Sequence, residues 1–443
     1  MDISRSRVWL RGVIKAWAKR VFGGTVVWRI AQKVRHSLPR RGVRVALHAL
    51  YRKILLCLLP RDTAYRWAQS QIQNQNFYGA DYFDARDKSG KESGCIGGYP
   101  EVEDFGRLAL LAKELLEVKS ALDIGCAKGF QVKALRLEGI DAWGIDLSEY
   151  AISTAPDEVR PWLKVCSIQE ADFPAGSFEL VLAMELLEHI PLTDIEEVIR
   201  KLYFFTSRFV LATIPSFGPN PYGMDGWLEE KINPRKIPRY RDHLIDLAEM
   251  KHLIVDSQGL PQHGHMLIAS YDWWTSLFTR YGFQRRGDLE REINRRLVLA
   301  REGKWCCYLF EKVEPGGEGV KPLRLEEGDF VHHGGRWESL THLLPRGIYC
   351  LSVELDMPGV GRVRPVDERL LSLVCLSKDG ERIHAQRLVT KRELPGKRGN
   401  GAFKTSLVCA VDGDAEIILR LEPGPGALCR PLSALYTPLG KET

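Results

Sequence analysis

The sequence predicts an α/β protein: a doubly wound, mostly parallel sheet, preceded by a basic helical arm and followed by an all-β sandwich. Three observations lead to this prediction. Short apolar strands alternate with helices from about residue 107 to residue 312, β-type runs without helices follow residue 322, and the positive charge is concentrated at the start. The predicted regions are the arm at 1–75, the α/β domain at 76–312, a Gly/Pro-rich linker at 313–322 and the sandwich at 323–443.

The arm is strongly basic. Residues 1–60 hold fourteen Lys and Arg and one acid, so they carry +13 while the rest of the chain carries −7. Apolar side chains recur at helical spacing, opposite most of the basic ones: Leu10, Val13, Ile14, Trp17 and Val21. Such a helix suits an anionic membrane surface. A helix docked on its own domain or on a partner, or a mitochondrial presequence, fits the pattern too. The absence of a nucleic-acid-binding motif disfavours nucleic acid.

Composition indicates a cytoplasmic protein, with the arm placing it peripherally on the cytoplasmic face of a membrane. The apolar run ILLCLLP at 54–60 is far shorter than the ~20 residues that a spanning helix needs. The segment before it is too long for a secretory signal. The ten cysteines form no Cys-x-x-Cys pair, so we interpret them as buried thiols in a reducing compartment.

The α/β domain is read from alternating periodicities. The predicted helices are FGRLALLAKELLEV, GFQVKALRLEG, SEYAISTA and TDIEEVIRKLYFF. The predicted strands are SALDIGC, DAWGIDL, FELVLAME and RFVLATIP. Alternation at this spacing is typical of a parallel sheet with helices on both faces. After residue 322, short β-type runs separated by turn sequences such as SKDGE and PGPG indicate a compact sandwich.

The segment LDIGCAKGF, residues 122–130, is a strand that runs into a glycine loop and a helix. A P-loop needs Lys-Ser or Lys-Thr after the second glycine, whereas Phe130 and Gln131 follow here. A dinucleotide-binding loop prefers G-x-G-x-x-G, whose intermediate glycine is missing. Among the nucleotide-type ligands that bind a glycine loop after a strand, the one that remains is S-adenosylmethionine. It carries no phosphate, and its methionine end and ribose lie against the loop.

Two carboxylates accompany the loop. Asp146 ends the second strand, where it can accept hydrogen bonds from both ribose hydroxyls. Asp123 ends the first strand, where it can orient loop amides or hold the ammonium of the ligand. The alternative role for such an Asp is a helix N-cap, although Ser148 is better placed to cap the helix after Asp146.

The runs ALDIGCAKGFQVKALRLEGIDAWGIDLSEYAI and FPAGSFELVLAMELLEHI resemble class I S-adenosylmethionine-dependent methyltransferases, and among these the small-molecule and glycan-associated branch. The resemblance covers about residues 105–312. It implies a Rossmann-like sheet of seven strands with S-adenosylmethionine as cofactor. It also implies that the leading segment 76–106, with Tyr78, Tyr82 and Tyr99, folds over the ligands, the alternative being an ordered linker packed on the sheet edge. An insertion at 216–270 is implied to cover the acceptor.

The resemblance implies cofactor roles for residues on four loops. The glycine loop lines the methionine end, Asp146 holds the ribose and Leu147 packs on the adenine. The loop after the third strand meets the adenine edge, with Ser167 where the family usually has an acid, and the end of the fourth strand floors the pocket. The predicted cofactor set is Asp123, Gly125, Ala127, Gly129, Asp146, Leu147, Ser167, Ile168, Met184 and Glu185.

Methyl transfer from a sulfonium mainly needs alignment of nucleophile, methyl and sulfur, and a hydroxyl acceptor can also use a base. Histidine suits that role near neutral pH, and the candidates are His189 in LEHI and His265 in the HGH pair. Their structural alternatives are a backbone-carbonyl contact for His189 and a glycine turn for the pair. A metal site built from His263, His265 and Asp272 lacks further ligand spacing, so no metal is predicted.

The predicted activity is O-methylation of a saccharide or lipid-linked glycan precursor. In this interpretation the sandwich holds the glycan, with Trp337, Tyr349 and Tyr436 available for stacking, although Tyr349 lies in the apolar run GIYCLSVEL and fits the core equally well. An oligomerisation or packing domain is the alternative role of the sandwich. One alternative is a methyltransferase of a small metabolite such as a quinone or polyketide. The other is a non-catalytic scaffold whose sandwich carries the binding function.

Overall fold

The structure is a computed structural model that describes residues 72, 77–84, 99–218, 220, 222–223, 245–246, 264–313, 323–357, 369–390, 402–411, 415–424 and 427–438. All of these residues belong to one compact unit. The predicted arm (except Ile72), the predicted linker (except Val313) and most of the predicted insertion lie outside them. Within the described residues, no helix combines the length and apolar character needed to cross a membrane.

The first ten strands are β1 (Ser120–Ile124), β2 (Asp141–Asp146), β3 (Leu163–Val165), β4 (Phe178–Met184), β5 (Thr206–Thr213), β6 (Ser216–Phe217), β7 (Ile245–Asp246), β8 (Leu267–Ser270), β9 (Phe283–Arg286) and β10 (Cys307–Lys312). Seven of them pair in the order β3-β2-β1-β4-β5-β10-β9. Strands β1 to β5 are parallel, and β10 is antiparallel to both neighbours. The predicted Rossmann-like, mostly parallel fold is therefore confirmed. Strands β6, β8 and β7 form a small separate sheet.

The α-helices of the described residues are α1 (Ala80–Phe83), α2 (Glu103–Glu114), α3 (Phe130–Leu137), α4 (Glu149–Ser153), α5 (Ile195–Phe205), α6 (Tyr271–Arg280), α7 (Gly287–Arg296) and α8 (Val298–Arg301). They cover both faces of the sheet. Along β4, Val181 and Ala183 pack into the core beneath α5 and α6, whereas Leu180 and Leu182 pack into the core beneath α2, α3 and α7. This alternation explains why a strand buried on both faces is apolar throughout.

The C-terminal region is all-β, as predicted. Its strands are β11 (Leu323–Glu326), β12 (Phe330–His333), β13 (Arg336–Ser339), β14 (His342–Leu344), β15 (Gly347–Asp356), β16 (Arg369–Ser377), β17 (Arg382–Thr390), β18 (Ala402–Val411), β19 (Ala415–Pro423) and β20 (Arg430–Pro438). One sheet has the order β11-β20-β15-β18. The strands of both layers share one core, in which Tyr349 and Tyr436 are buried. Tyr349 therefore takes the core role that was its alternative, and neither ring is exposed for stacking on a sugar.

The second C-terminal layer continues the sheet of the α/β domain. The order β12-β13-β19-β16-β17 runs on into β9, because β17 pairs antiparallel with β9 at Ile383 and Arg285. A hydrogen bond from the Gln386 amide to the Thr279 hydroxyl (3.2 Å) joins β17 to α6 as well. The two regions are therefore joined by backbone pairing between β9 and β17.

Candidate functional site

A cavity of about 960 Å³ opens at the carboxyl ends of the parallel strands, which is where open α/β sheets bind their ligands. Eight of the ten predicted cofactor residues line it, as do His189 and His265. The eight are Gly125, Ala127, Asp146, Leu147, Ser167, Ile168, Met184 and Glu185. Asp123 and Gly129 are not on the wall. Eight predicted cofactor residues and the two predicted histidines thus line one cavity.

The loop after β1 is held in a left-handed course. The φ angles are +75° at Gly125, +49° at Ala127 and +73° at Gly129. Glycine adopts such angles without steric cost, and it occupies two of these three positions. The amides of Gly125 and Cys126 donate to the carbonyl of Ile145 (2.8 and 3.0 Å), which ties the loop to β2. A Cβ on Gly129 would lie 2.7 Å from Leu163 Cδ1, so this glycine serves the packing of α3 rather than the cavity wall.

Asp146 is fixed by the same loop. Its Oδ2 accepts from the Ala127 amide (2.8 Å), and its Oδ1 accepts from the Ser148 amide (2.7 Å). Burial raises the pKa of Asp146, and these two backbone hydrogen bonds oppose the rise by favouring the carboxylate. Each oxygen keeps a further acceptor site, so the carboxylate can take two neighbouring hydroxyls of a ligand.

The loop after β3 supplies an acid that the sequence interpretation missed. Ser167 Oγ donates to Glu170 Oε2 (2.8 Å) and accepts from the Glu170 amide (3.2 Å). The hydrogen bonds from Ser167 lower the pKa of Glu170, and Glu170 lines the cavity. A Ser followed three residues later by Glu is the signal that could have found it, because that spacing allows reciprocal bonding.

The other end of the cavity holds Glu188, His189 and His265. Glu188 and His265 are buried, with His265 Nε2 3.9 Å from Glu188 Oε1. The two imidazole rings meet at right angles with centroids 4.9 Å apart, and His189 Nδ1 lies 3.3 Å from the Gly264 carbonyl oxygen. Ligand atoms of all three residues lie within 4.8 Å of one another. This group can therefore exchange a proton or hold a divalent cation.

Glu188 is the second residue that sequence reasoning missed. It stands directly before His189 in LEHI, but an acid beside a histidine gives no indication of burial. The backbone of Glu188 also holds His265 in place, because its carbonyl accepts from the Met266 amide (2.7 Å). The sequence predicted no metal. Of the three residues that were considered there, His263 lies outside the described residues, and the structure groups His265 with Glu188 and His189 instead.

An aromatic strap, residues 77–84, crosses the cavity. Tyr78 and Tyr82 line it together with Tyr99, and the Tyr78 ring packs edge-on against the rings of Tyr82 (5.1 Å) and His189 (6.0 Å). Ser148 Oγ donates to the Tyr78 carbonyl (2.6 Å), and Tyr150 donates to Asp84 (2.8 Å). The strap is thus attached to the loop and helix that follow Asp146.

Asp123 predicts a pH dependence of stability. Burial, with the charge of Asp146, raises the pKa of Asp123 to about 7, against about 3.9 in an unfolded chain. Between these values the native state holds a proton that the unfolded state has lost, so the free energy of unfolding falls as pH rises, by up to about 1.4 kcal/mol per pH unit. Asp123→Asn removes this slope and is expected to stabilise the protein more at pH 8 than at pH 4.5 in urea unfolding. Parallel pH curves for the two proteins would contradict this.

Comparisons with known proteins agree with the geometry. Residues 103–285 match a family described as a methyltransferase domain. Ubiquinone biosynthesis O-methyltransferase of Methylococcus capsulatus is 38% identical over 79 residues, covering 16% of this chain and 33% of that protein. The enzyme of the same name from Bordetella avium is 33% identical over 91 residues, covering 19% and 37%. The chain thus spans about a third of the length of these relatives.

Among solved structures, the chain is similar to 1,6-didemethyltoxoflavin-N1-methyltransferase of Burkholderia thailandensis. The TM-score is 0.30 and the sequence identity 15%, over 48% of this chain and 80% of that one.

Proposed function

We propose that this chain, whose residues 103–285 form a methyltransferase domain, transfers a methyl group from S-adenosylmethionine to a hydroxyl oxygen of a small-molecule acceptor. The observation that carries the proposal is the cavity that joins Asp146 and the glycine loop at one end to Glu188, His189 and His265 at the other. One end is suited to a ribose, and the other to a hydroxyl that must lose its proton.

The residues at the donor end bind and orient. Asp146 accepts hydrogen bonds from the two ribose hydroxyls, and Gly125 and Ala127, left-handed residues on the cavity wall, let the methionine end lie close to the backbone of the loop. Met184 and Glu185 close the cavity from below, and Glu185 is itself left-handed (φ +50°). When bound, S-adenosylmethionine supplies a methyl group on a sulfonium that leaves as a neutral thioether. The protein's task is then alignment of the acceptor oxygen with that methyl group.

The residues at the acceptor end handle the proton. His265 is the candidate base that takes the hydroxyl proton, and the buried carboxylate of Glu188, whose Oε1 lies 3.9 Å from His265 Nε2, stabilises the resulting imidazolium. His189 is anchored through Nδ1 at the Gly264 carbonyl, so its other nitrogen can position the acceptor. A divalent cation held by the same three side chains would serve the reaction by polarising the hydroxyl.

The volume and the relatives support a small metabolite as acceptor. Ligand pockets commonly measure roughly 300–1,000 Å³, so a cavity of about 960 Å³ has room for an acceptor beside the donor. The two relatives are O-methyltransferases of ubiquinone biosynthesis by name, which favours a hydroxylated ring. The saccharide or lipid-linked glycan acceptor stays a prediction from sequence.

The test is transfer of tritium from S-adenosyl-[methyl-³H]methionine to a panel of phenols, catechols, hydroquinones, monosaccharides and amines. We expect label in a hydroxylated acceptor, and a fall of about 10²–10⁴-fold in turnover for His265→Gln with binding of S-adenosylhomocysteine retained. His332→Gln, at an exposed position in the C-terminal region, is the matched control. Label that enters amines but no hydroxyl would contradict O-methylation.

The finer proposal of contact with an anionic membrane depends on the charge of residues 1–60. Co-sedimentation with anionic liposomes tests it, and equal binding by the full chain and by a chain lacking residues 1–60 would contradict it.

A further inference from the structure

Tyr78 lies at the boundary between the two ends of the cavity. Its ring packs against the His189 ring at the acceptor end, with centroids 6.0 Å apart. At the donor end its carbonyl accepts from Ser148 Oγ (2.6 Å), while the Ser148 amide donates to Asp146 (2.7 Å). Tyr78 therefore contacts His189 at the acceptor end and is linked through Ser148 to Asp146 at the donor end.

The Tyr78 hydroxyl also interacts electrostatically with a carboxylate at each end of the cavity, Asp146 and Glu188. Burial raises the pKa of Tyr78, and the negative charges of Asp146 and Glu188 raise it further. The side chain consequently stays a neutral phenol throughout the working pH range. It lies within the negative field of two carboxylates that belong to opposite ends of the cavity.

The chemistry of the donor determines where its positive charge must lie. The sulfur is bonded to the ribose-bearing carbon on one side and carries the transferable methyl group on the other. With the ribose at Asp146 and the methyl directed at His265 and Glu188, the sulfonium lies between them. That is the region of the cavity that Tyr78 borders.

We propose that Tyr78 binds the sulfonium charge through its aromatic ring, so that the site binds the positively charged donor more tightly than the neutral product of methyl transfer. This inference rests on the proposed function. Aromatic rings attract cations, most strongly where water is excluded. The attraction disappears when the sulfonium becomes a thioether, so Tyr78 favours the donor over the demethylated product.

The readout is the ratio of two dissociation constants, that of S-adenosylhomocysteine divided by that of S-adenosylmethionine, measured calorimetrically for each variant. Tyr78→Leu is expected to lower this ratio by about thirtyfold, which corresponds to the roughly 2 kcal/mol that a desolvated cation–ring contact contributes. Tyr78→Phe keeps the ring and should keep the ratio. Tyr78→Met, which fills more of the vacated space, replaces the Leu variant if that variant does not fold.

Tyr99→Leu is the matched control. Tyr99 lines the same cavity, but its ring stacks on Phe130 (6.0 Å) and meets Phe83 (5.9 Å), which carry no charge. Its loss should weaken both ligands in the same proportion. If Tyr78→Leu and Tyr78→Met also weaken both ligands equally, Tyr78 has a structural role and the inference is wrong, while the proposed function stands. If the wild-type protein binds neither ligand, the proposed function itself fails.

Discussion

Asp146→Ala is expected to weaken the binding of S-adenosylmethionine by about 100-fold. Hydrogen bonds to a charged group contribute about 1.5–3 kcal/mol each, and the carboxylate is placed to accept two from the ribose. The total of about 3 kcal/mol corresponds to two powers of ten in the dissociation constant. The substitution also removes the acceptor of the Ala127 and Ser148 amides, so the glycine loop loses part of its anchoring. Calorimetric titration measures the effect directly.

The control for this experiment lies on the same strand. Asp141 begins β2 and Asp146 ends it, but Asp141 is exposed and pairs with Arg136 (2.9 Å). Asp141→Ala should leave the affinity unchanged, and Asp146→Asn, which keeps one carbonyl oxygen, should fall between wild type and Asp146→Ala. Wild-type affinity in Asp146→Ala would show that the ribose is held elsewhere, and the assignment of the donor end would fail.

The donor end could be predicted because its determinants are local. The glycine loop and Asp146 are separated by one helix and one strand, and the spacing of such elements is fixed by chain geometry. The exclusion of a P-loop and of a dinucleotide loop needed no more than the residues at 125–131. Ser167 lines the cavity, and its partner Glu170 was missed although the three-residue spacing between them is a local signal for their reciprocal hydrogen bonds.

The acceptor end depends on contacts that no local pattern encodes. Glu188 and His265 are far apart in sequence, and they meet because the backbone of residue 266 hydrogen-bonds to that of residue 188. The pairing of β9 with β17 is of the same kind. A sequence shows that two strands exist, but which free edges meet is decided by the packing of whole layers. The prediction of an all-β C-terminal sandwich was therefore right, but one of its two sheets continues the sheet of the α/β domain.

A buried ion pair lies at this junction. Arg285 and Glu290 are both almost fully buried, and the guanidinium donates to both carboxylate oxygens, Nε to Oε2 (2.9 Å) and Nη2 to Oε1 (2.5 Å). Arg285 also donates to Thr275 Oγ1 (3.0 Å) and to Asn220 Oδ1 (3.0 Å). The pair and its hydrogen bonds therefore link α6 and α7 to β9, the strand that pairs with β17. Its hydrogen bonds offset the cost of removing two charges from water.

Glu290→Leu is expected to lower the free energy of unfolding by about 3–5 kcal/mol, because it leaves the Arg285 charge buried without its counter-ion. The double variant Arg285→Met with Glu290→Leu should recover most of the loss, since a packed apolar pair needs no desolvation of charge. Urea unfolding of the three proteins measures this, with Glu292→Gln as control: Glu292 lies on the same helix and pairs with the exposed Arg295 (2.8 Å), so its midpoint should barely move. If the single variant were as stable as the double variant, the Arg285 charge would have to reach water. The junction between β9 and β17 would then be open to solvent, contrary to the burial of Arg285.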